Sequence, residues 1–328
     1  MLTYWTPEAF RKQDWPVSGF LWRPYLPAGG TVLLHGPGGA GKSQLIWQIL
    51  NAVQTGAGIF GRKVKQGNAL LVCVDMSPIT LRLRWEQAEF PQHFDLIGGV
   101  PFDVSNDRFL QSQAYFTLKQ VSEEKSFSVV AIDATGRIHS MSANSDEAPN
   151  AVYRVFRELF PLSTLIFNHH DRKMGRDRYG HQLEARGDED SMGSANWRNY
   201  ATTVLHLYAV SASRRVLEYT KSQVATLTDP VLLYQFPKSG ELVVWDAELH
   251  LYLGQLFDGL ILATGHAPIH DKRQIPTLRK ALQAIPAYKD LTLGMLEDIF
   301  MGWCLVRIGK GGEETKKFSP ANGYHERP

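Results

Sequence analysis

The sequence predicts an α/β fold, in which a doubly wound, mostly parallel sheet has helices on both faces and is followed by a small C-terminal segment. Two observations support this prediction. Short apolar runs alternate with longer segments whose apolar residues recur at helical spacing, which is the order of a strand–helix–strand repeat. The runs are apolar on both faces, as expected for parallel strands that helices cover from both sides.

The first five apolar runs are predicted to be parallel strands. They span residues 31–35, 69–74, 129–133, 164–168 and 202–207. Helical segments lie between them, at residues 42–55, 79–89, 107–125 and 147–160. Gly56 follows the first helix and is suited to cap it, because glycine readily adopts the left-handed conformation. An antiparallel ribbon is predicted from three later runs, at residues 214–219, 232–236 and 241–245.

The pattern changes near residue 250. We therefore divide the chain into a core with a short N-terminal lead-in, residues 1–250, and a small C-terminal segment, residues 251–328. Within the C-terminal segment, a pair of short helices, 278–285 and 291–300, precedes a hairpin formed by 303–308 and 314–318. This order is typical of a winged-helix module, and a simple C-terminal helical cap fits it equally well.

Composition excludes several classes of protein. The 328 residues carry 35 Lys and Arg against 33 Asp and Glu, a formal charge of +2, which excludes a histone-like polycation. With 44% hydrophobic and 21% charged residues the chain is typical of a packed globular protein. Two cysteines, Cys73 and Cys304, provide neither a disulfide framework nor a cysteine-based zinc site. We find no secretory signal and no apolar run of about 18 residues, so we expect a cytoplasmic protein without a membrane partner.

The strongest motif is the glycine-rich segment GPGGAGKS, Gly36 to Ser43, which follows the first strand and opens the first helix. It matches G-x-x-x-x-G-K-[ST], a phosphate-binding loop whose glycines let successive N–H groups point at an anion. Lys42 is expected to reach the β- and γ-phosphates of ATP, and the Ser43 hydroxyl to ligate Mg²⁺. The residues predicted to bind the nucleotide are Gly36, Gly38, Gly39, Ala40, Gly41, Lys42, Ser43 and Gln44.

A second acidic element is needed to hold Mg²⁺ through water. Asp133 ends a strand of four apolar residues and is the best candidate; a helix cap or a turn carboxylate is the alternative. Asp75 ends the neighbouring apolar run. It could orient the attacking water as general base, and it fits equally well as a turn residue before Ser77 and Pro78.

Further segments carry a family resemblance over roughly residues 15–225. They are Pro27-Ala28-Gly29-Gly30 leading into the phosphate-binding loop, Ile132-Asp133, residues 144–148, the run 167–173 (FNHHDRK) and residues 193–198. In this order and spacing the chain resembles RecA-type ATPase cores, and most strongly the RepA-like hexameric replicative helicases of plasmids and phages.

The resemblance implies a RecA-like fold and roles for several residues. His169 or His170 corresponds to the sensor that reads the γ-phosphate and relays its state to DNA-binding loops. Asp75 stands where the family usually has a catalytic glutamate, one methylene longer. Lys221 fits a lysine that reaches into the neighbouring subunit's site. Gln223 stands where an arginine often accompanies it, and Arg214 or Arg215 could substitute.

Two loops are candidates for DNA contact. Residues 171–191 show no apolar periodicity and combine arginines with Tyr179, which suits backbone tracking and base stacking on single-stranded DNA. The acidic run 187–190 argues against a simple phosphate contact, and a solvated loop is the alternative. A shorter loop, 135–145, follows Asp133. The predicted DNA-binding residues are Arg172, Lys173, Arg176, Arg178, Arg186 and Arg137.

These features predict an ATP-hydrolysing, RecA-type motor on single-stranded DNA that forms a hexameric ring, with helicase as the first choice. The expected cofactors are ATP and Mg²⁺, and the expected partners are single-stranded DNA, further copies of this chain and other replication proteins. A recombinase, a helicase loader or a regulatory scaffold is the alternative. A small-molecule kinase is disfavoured, because the sequence shows no lid or acceptor pocket.

Overall fold

The fold is known from a computed structural model. It describes residues 6–12, 19–88, 92–99, 102–105, 108–141, 147–171, 196–236, 239–245, 256–257, 259–260, 275–285, 294–297 and 299–300. The predicted hairpin at 303–318 lies outside these residues.

Nine strands of the described chain form one mixed sheet in the order β11-β10-β9-β8-β3-β7-β6-β4-β5. The strands from β8 to β5 are parallel, whereas β9, β10 and β11 continue the sheet antiparallel. A separate pair, β1 with β2, is antiparallel. The strands are β1 (Phe20–Trp22), β2 (Leu26–Pro27), β3 (Thr31–Gly36), β4 (Ala69–Cys73), β5 (Asp95–Gly98), β6 (Val129–Asp133), β7 (Thr164–His170), β8 (Thr203–Ala209), β9 (Arg214–Ser222), β10 (Val231–Gln235) and β11 (Leu242–Val244).

The helices begin and end at residues whose local chemistry explains their bounds. The left-handed Gly56 (φ 74°) ends α2, and its N–H donates to the Ala52 carbonyl. The Ser112 hydroxyl caps α4, so this helix begins six residues later than the predicted 107. The helices are α1 (Pro7–Lys12), α2 (Lys42–Thr55), α3 (Pro78–Gln87), α4 (Gln113–Glu124), α5 (Glu147–Leu159), α6 (Asn196–Tyr200) and α7 (Ile275–Gln283).

Each face of the sheet has its own apolar core, because side chains alternate along a buried strand. On β3, Val32 and Leu34 belong to the core that contains α2, and Leu33 belongs to the core that contains α5. Trp47 of α2 and Phe156 of α5 are both fully buried. The predicted fold class, a RecA-like doubly wound sheet covered by helices on both faces, is therefore confirmed.

The described part of the C-terminal segment packs on the antiparallel end of the sheet. A third apolar cluster joins Tyr234 and Trp245 to Phe257, Leu278 and Phe300. The division near residue 250 and the winged-helix assignment stay predictions. Among the described helices, none combines the length and the apolar character needed to cross a membrane.

Candidate nucleotide site

The topology brings the motif residues to one edge of the sheet. β3 is the central strand, β7 pairs with it directly, and β6 pairs with β7. All three strands are parallel, so their carboxyl ends meet at Gly36, Asp133 and His170. This is the edge at which ligands bind in doubly wound folds.

The phosphate-binding loop needs its glycines for two reasons. Gly39 and Gly41 have left-handed backbones, with φ of 77° and 96°, a conformation that side chains with a Cβ adopt at a cost. At Gly36 an added Cβ would lie 2.0 Å from the Leu207 carbonyl oxygen of β8. The loop therefore lies close against β8 and leads directly into the N-terminus of α2, where backbone N–H groups favour an anion.

Lys42 is buried at the start of α2, and its ammonium points back into the loop. Nζ donates to the carbonyl oxygens of Gly36 (2.8 Å) and Pro37 (2.9 Å) and lies 3.4 Å from His170 Nδ1. Burial lowers the pKa of Lys42 to about 8, although Asp171 and Asp133 oppose this shift. The ammonium thus stands in the loop without a directly bonded carboxylate among the described residues, as suits a group that receives a phosphate.

Asp133 lies beside the phosphate-binding loop and is almost fully buried. Asn168 Nδ2 donates to its Oδ1 at 2.5 Å, and the Ser43 side chain also hydrogen-bonds to the carboxylate. Burial, reinforced by Asp75, raises its pKa despite these hydrogen bonds. Its Oδ2 has no hydrogen-bond partner among the described residues. A hydroxyl and a buried carboxylate side by side, with one oxygen unused, fit the oxygen donors that Mg²⁺ prefers.

Asp75 is exposed just beyond β4, where its Oδ1 accepts a hydrogen bond from the Cys73 thiol at 3.5 Å. It lines a cavity of about 320 Å³, together with Arg137, His169, His170 and Trp197. The predicted general base therefore faces the same space as both predicted sensor residues.

The two histidines at the end of β7 point to opposite faces of the sheet. His169 is buried, packs against Trp197 with ring centroids 4.8 Å apart, and its Nδ1 lies 2.9 Å from the His170 carbonyl oxygen. Burial lowers its pKa to about 4. His170 is exposed and contacts Lys42. Of the two sensor candidates, only His170 reaches the phosphate-binding loop.

The three candidates for a cation that acts on the neighbouring subunit all make contacts within their own chain. Lys221 Nζ donates to the Arg198 carbonyl at 2.5 Å, at the end of α6. Arg214 lies over the Trp245 ring at 5.9 Å. Arg215 is buried, and its Nε donates to the Ala40 carbonyl of the phosphate-binding loop at 3.1 Å.

The remaining predicted residues are placed as follows. Arg137 is exposed on the turn after β6 and lines the cavity. The Gln44 amide donates to the Ser239 carbonyl at 3.2 Å, so it ties α2 to the β10–β11 turn. Five predicted DNA-binding residues, Arg172, Lys173, Arg176, Arg178 and Arg186, lie outside the described residues.

Sequence reasoning missed a buried polar cluster behind the loop. Asp171 Oδ1 lies 2.8 Å from His35 Nδ1, and its Oδ2 lies 3.2 Å from His206 Nε2. Despite burial, these hydrogen bonds hold the pKa of Asp171 well below its usual range. Burial opposes charge on His206, yet its bonds to Asp171 and Glu218 raise its pKa to about 9. The role of Asn168 was also missed, and only its position two residues before His170, on the same face of β7, could have indicated it.

Comparison with known proteins bears on the identity of this site. A solved structure described as the ATPase domain of another protein is similar to this chain, with a TM-score of 0.47 and 12% identity over 66% of this chain and 85% of that one. No curated protein matches. The model of the family described as "AAA domain" (AAA_25) matches residues 6–176, more than half of the chain. The prediction of a RecA-type P-loop ATPase is thereby confirmed, and the chain belongs to this AAA domain family.

Proposed function

We propose that this P-loop ATPase is a Mg²⁺-dependent motor that moves on single-stranded DNA as a ring, in the manner of a replicative helicase. One observation supports the proposal above all. Lys42, Ser43, Asp133 and His170, which come from three separate strand ends, meet at one point on the sheet edge through direct hydrogen bonds or contacts.

The nucleotide-binding part follows from the chemistry of these groups. The loop N–H groups and the Lys42 ammonium receive the β- and γ-phosphates, and the ammonium neutralises charge that develops during transfer. Ser43 and Asp133 hold Mg²⁺, which supplies Lewis-acid neutralisation when bound. Asn168 fixes the Asp133 carboxylate, since its amide donates to Oδ1. Asp75 faces the cavity beside this point and is the proposed base for the attacking water.

His170 is the proposed sensor. Its Nδ1 is 3.4 Å from Lys42 Nζ, so a phosphate that draws the ammonium away changes the surroundings of His170. The chain leaves β7 immediately after this residue and continues through Asp171 into the predicted DNA loop. A shift at His170 therefore acts at the root of that loop.

The DNA contact is proposed for the long loop with its five basic residues and for the turn after β6. Arg137 supports this assignment, since it is an exposed cation beside the cavity that also holds His170. Cations of this kind bind the DNA backbone with little dependence on base sequence.

Ring assembly is proposed to bring a cation to the neighbouring subunit's phosphates. Lys221 is favoured over Arg215, because its described partners are carbonyl oxygens near the end of α6 that rotation of one side chain releases. Arg215 is instead buried and bonded to four carbonyl oxygens of its own chain.

The proposal is tested by steady-state ATP hydrolysis with Mg²⁺ and a single-stranded oligonucleotide. Lys42→Ala should abolish turnover while the protein stays folded. Lys119→Ala, which removes an exposed lysine 3.8 Å from Glu123, is the matched control and should leave turnover unchanged. Turnover in Lys42→Ala equal to that of the unaltered protein would remove the assigned site. A protein that stays monomeric with and without an ATP analogue would remove the ring and the role of Lys221.

A further inference from the structure

The buried cluster behind the phosphate-binding loop has the composition of a metal site. His35, Asp171 and His206 each offer one ligand atom, and these atoms all lie within 4.8 Å of one another. The two imidazole rings are stacked, with centroids 4.5 Å apart and planes 6° apart. Both rings therefore present a nitrogen to the same carboxylate from one side.

The backbone fixes these three residues in place. His35 and His206 are register partners on the neighbouring strands β3 and β8. The Asp171 N–H donates to the Gly36 carbonyl at 3.1 Å, next to His35 in the chain. The His35 side chain is fully buried, whereas those of Asp171 and His206 are 9% and 8% exposed. The arrangement is thus rigid and remains open to solvent on one side.

The donors suit a first-row transition metal rather than a hard cation. Two imidazole nitrogens with one carboxylate oxygen are typical Zn²⁺ ligands, and a water molecule completes four-coordination. The outer groups fit as well. His206 Nδ1 lies 3.6 Å from Glu218 Oε2, and Glu218 is held by the Tyr208 hydroxyl at 2.7 Å. A carboxylate that accepts from the second nitrogen of a histidine is the usual means of orienting a metal-bound imidazole.

Charge balance favours the same ligand. Asp171 and Glu218 are two carboxylates beside two imidazoles that are neutral when they bind a metal. A divalent ion brings the formal charge of these four groups to zero at a site where unbalanced charge is costly. Without an ion, a proton must lie between each ring nitrogen and the Asp171 carboxylate.

We propose that His35, Asp171 and His206 bind one divalent transition-metal ion of the Zn²⁺ class. The site is separate from the proposed Mg²⁺ site, because His35 and His206 share the α5 face of the sheet with Leu33 and Val204, whereas Lys42 and Ser43 begin α2 on the other. The ion joins the central strands to the first residue of the long loop. This inference does not depend on the proposed DNA motor.

The test uses untagged full-length protein, stripped with a chelator and dialysed against Zn²⁺ in excess Mg²⁺, with bound metal counted by elemental analysis. His206→Gln and Asp171→Asn should each retain one Zn²⁺ fewer per chain than the unaltered protein. His93→Gln, which changes an exposed histidine, is the control and should retain the same number. Circular dichroism checks that the variants are folded.

Two outcomes would overturn the proposal. One is a stripped protein that retains no Zn²⁺, which means that protons alone hold the cluster. The other is an unchanged Zn²⁺ count in both folded variants, which means that other residues bind it. If the variants unfold, Co²⁺ added to the unaltered protein decides the matter. The intense visible bands of four-coordinate Co²⁺ are expected, and the weak spectrum of six-coordinate Co²⁺ would refute the site.

Discussion

Replacing Arg215 by alanine should destabilise the single chain, because this arginine supports its own phosphate-binding loop. Its Nε donates to the buried Ala40 carbonyl at 3.1 Å, and its Nη1 donates to the carbonyls of Ser211, Ala212 and Arg214 at 2.9–3.2 Å. A hydrogen bond from a charged donor contributes about 1.5–3 kcal/mol, and partly exposed bonds contribute less because water replaces them. We expect Arg215→Ala to lower the free energy of unfolding by about 3 kcal/mol, most of it from the Ala40 bond.

The assay is urea unfolding of dilute, nucleotide-free protein, followed by circular dichroism. Arg214→Ala is the matched control on the same strand. It removes a guanidinium that lies 5.9 Å over the Trp245 ring, which should cost about 1 kcal/mol. ATP affinity should also fall in Arg215→Ala, since the loop loses a fixed carbonyl, and should be retained in Arg214→Ala.

A different pattern would refute this reasoning. If Arg215 serves mainly in a neighbouring subunit, its removal leaves the unfolding free energy within about 0.5 kcal/mol of the unaltered value. ATP affinity would then also be unchanged, and turnover alone would fall.

Three further predictions concern the nucleotide site. With its pKa about 8, Lys42 is about one tenth protonated at pH 9, so nucleotide affinity without divalent ions should fall about tenfold from pH 7 to pH 9; Lys42→Arg should give a flat profile, and a flat profile in the unaltered protein would contradict the assignment. Gly36→Ala should lower the unfolding free energy by about 3 kcal/mol through the clash with Leu207, whereas Gly136→Ala, with open space around it, should be neutral; equal effects would contradict the tight packing. Asp133→Asn should reduce turnover about 100-fold or more while it stabilises the metal-free protein by about 1 kcal/mol, because a buried carboxylate loses its charge; unchanged turnover would exclude the Mg²⁺ role.

The central strands could be predicted because burial on both faces leaves a local trace. The run of apolar residues in β6 is buried throughout and ends at Asp133. β5 (Asp95–Gly98) was missed for the opposite reason. It is a four-residue edge strand that alternates half-buried with exposed positions, so no continuous apolar run marks it.

The phosphate-binding loop could be predicted for a similar reason. Its turn, its lysine and its hydroxyl lie within eight consecutive residues and carry a fixed spacing. The cluster of His35, Asp171 and His206 has no such trace. His35 and Asp171 are 136 residues apart, and only the pairing of β3 with its two neighbours brings them together.

Some roles could not be assigned because they depend on the direction of a side chain. The sequence left His169 and His170 as equal candidates for the sensor. Strand alternation places His169 against Trp197 and His170 against Lys42. Likewise Arg215 is suited by type to a partner subunit's phosphates, yet its nearest described acceptor in the phosphate-binding loop is a carbonyl 175 residues earlier in its own chain.

The most direct test of the proposed DNA motor is ATP turnover by the unaltered protein without DNA and with single-stranded, duplex and forked DNA, all at low salt. The structure-based proposal predicts that single-stranded and forked DNA raise the rate several-fold and that fully paired duplex raises it less. A rate that no form of DNA changes, together with no binding of single-stranded DNA at low salt, would contradict it.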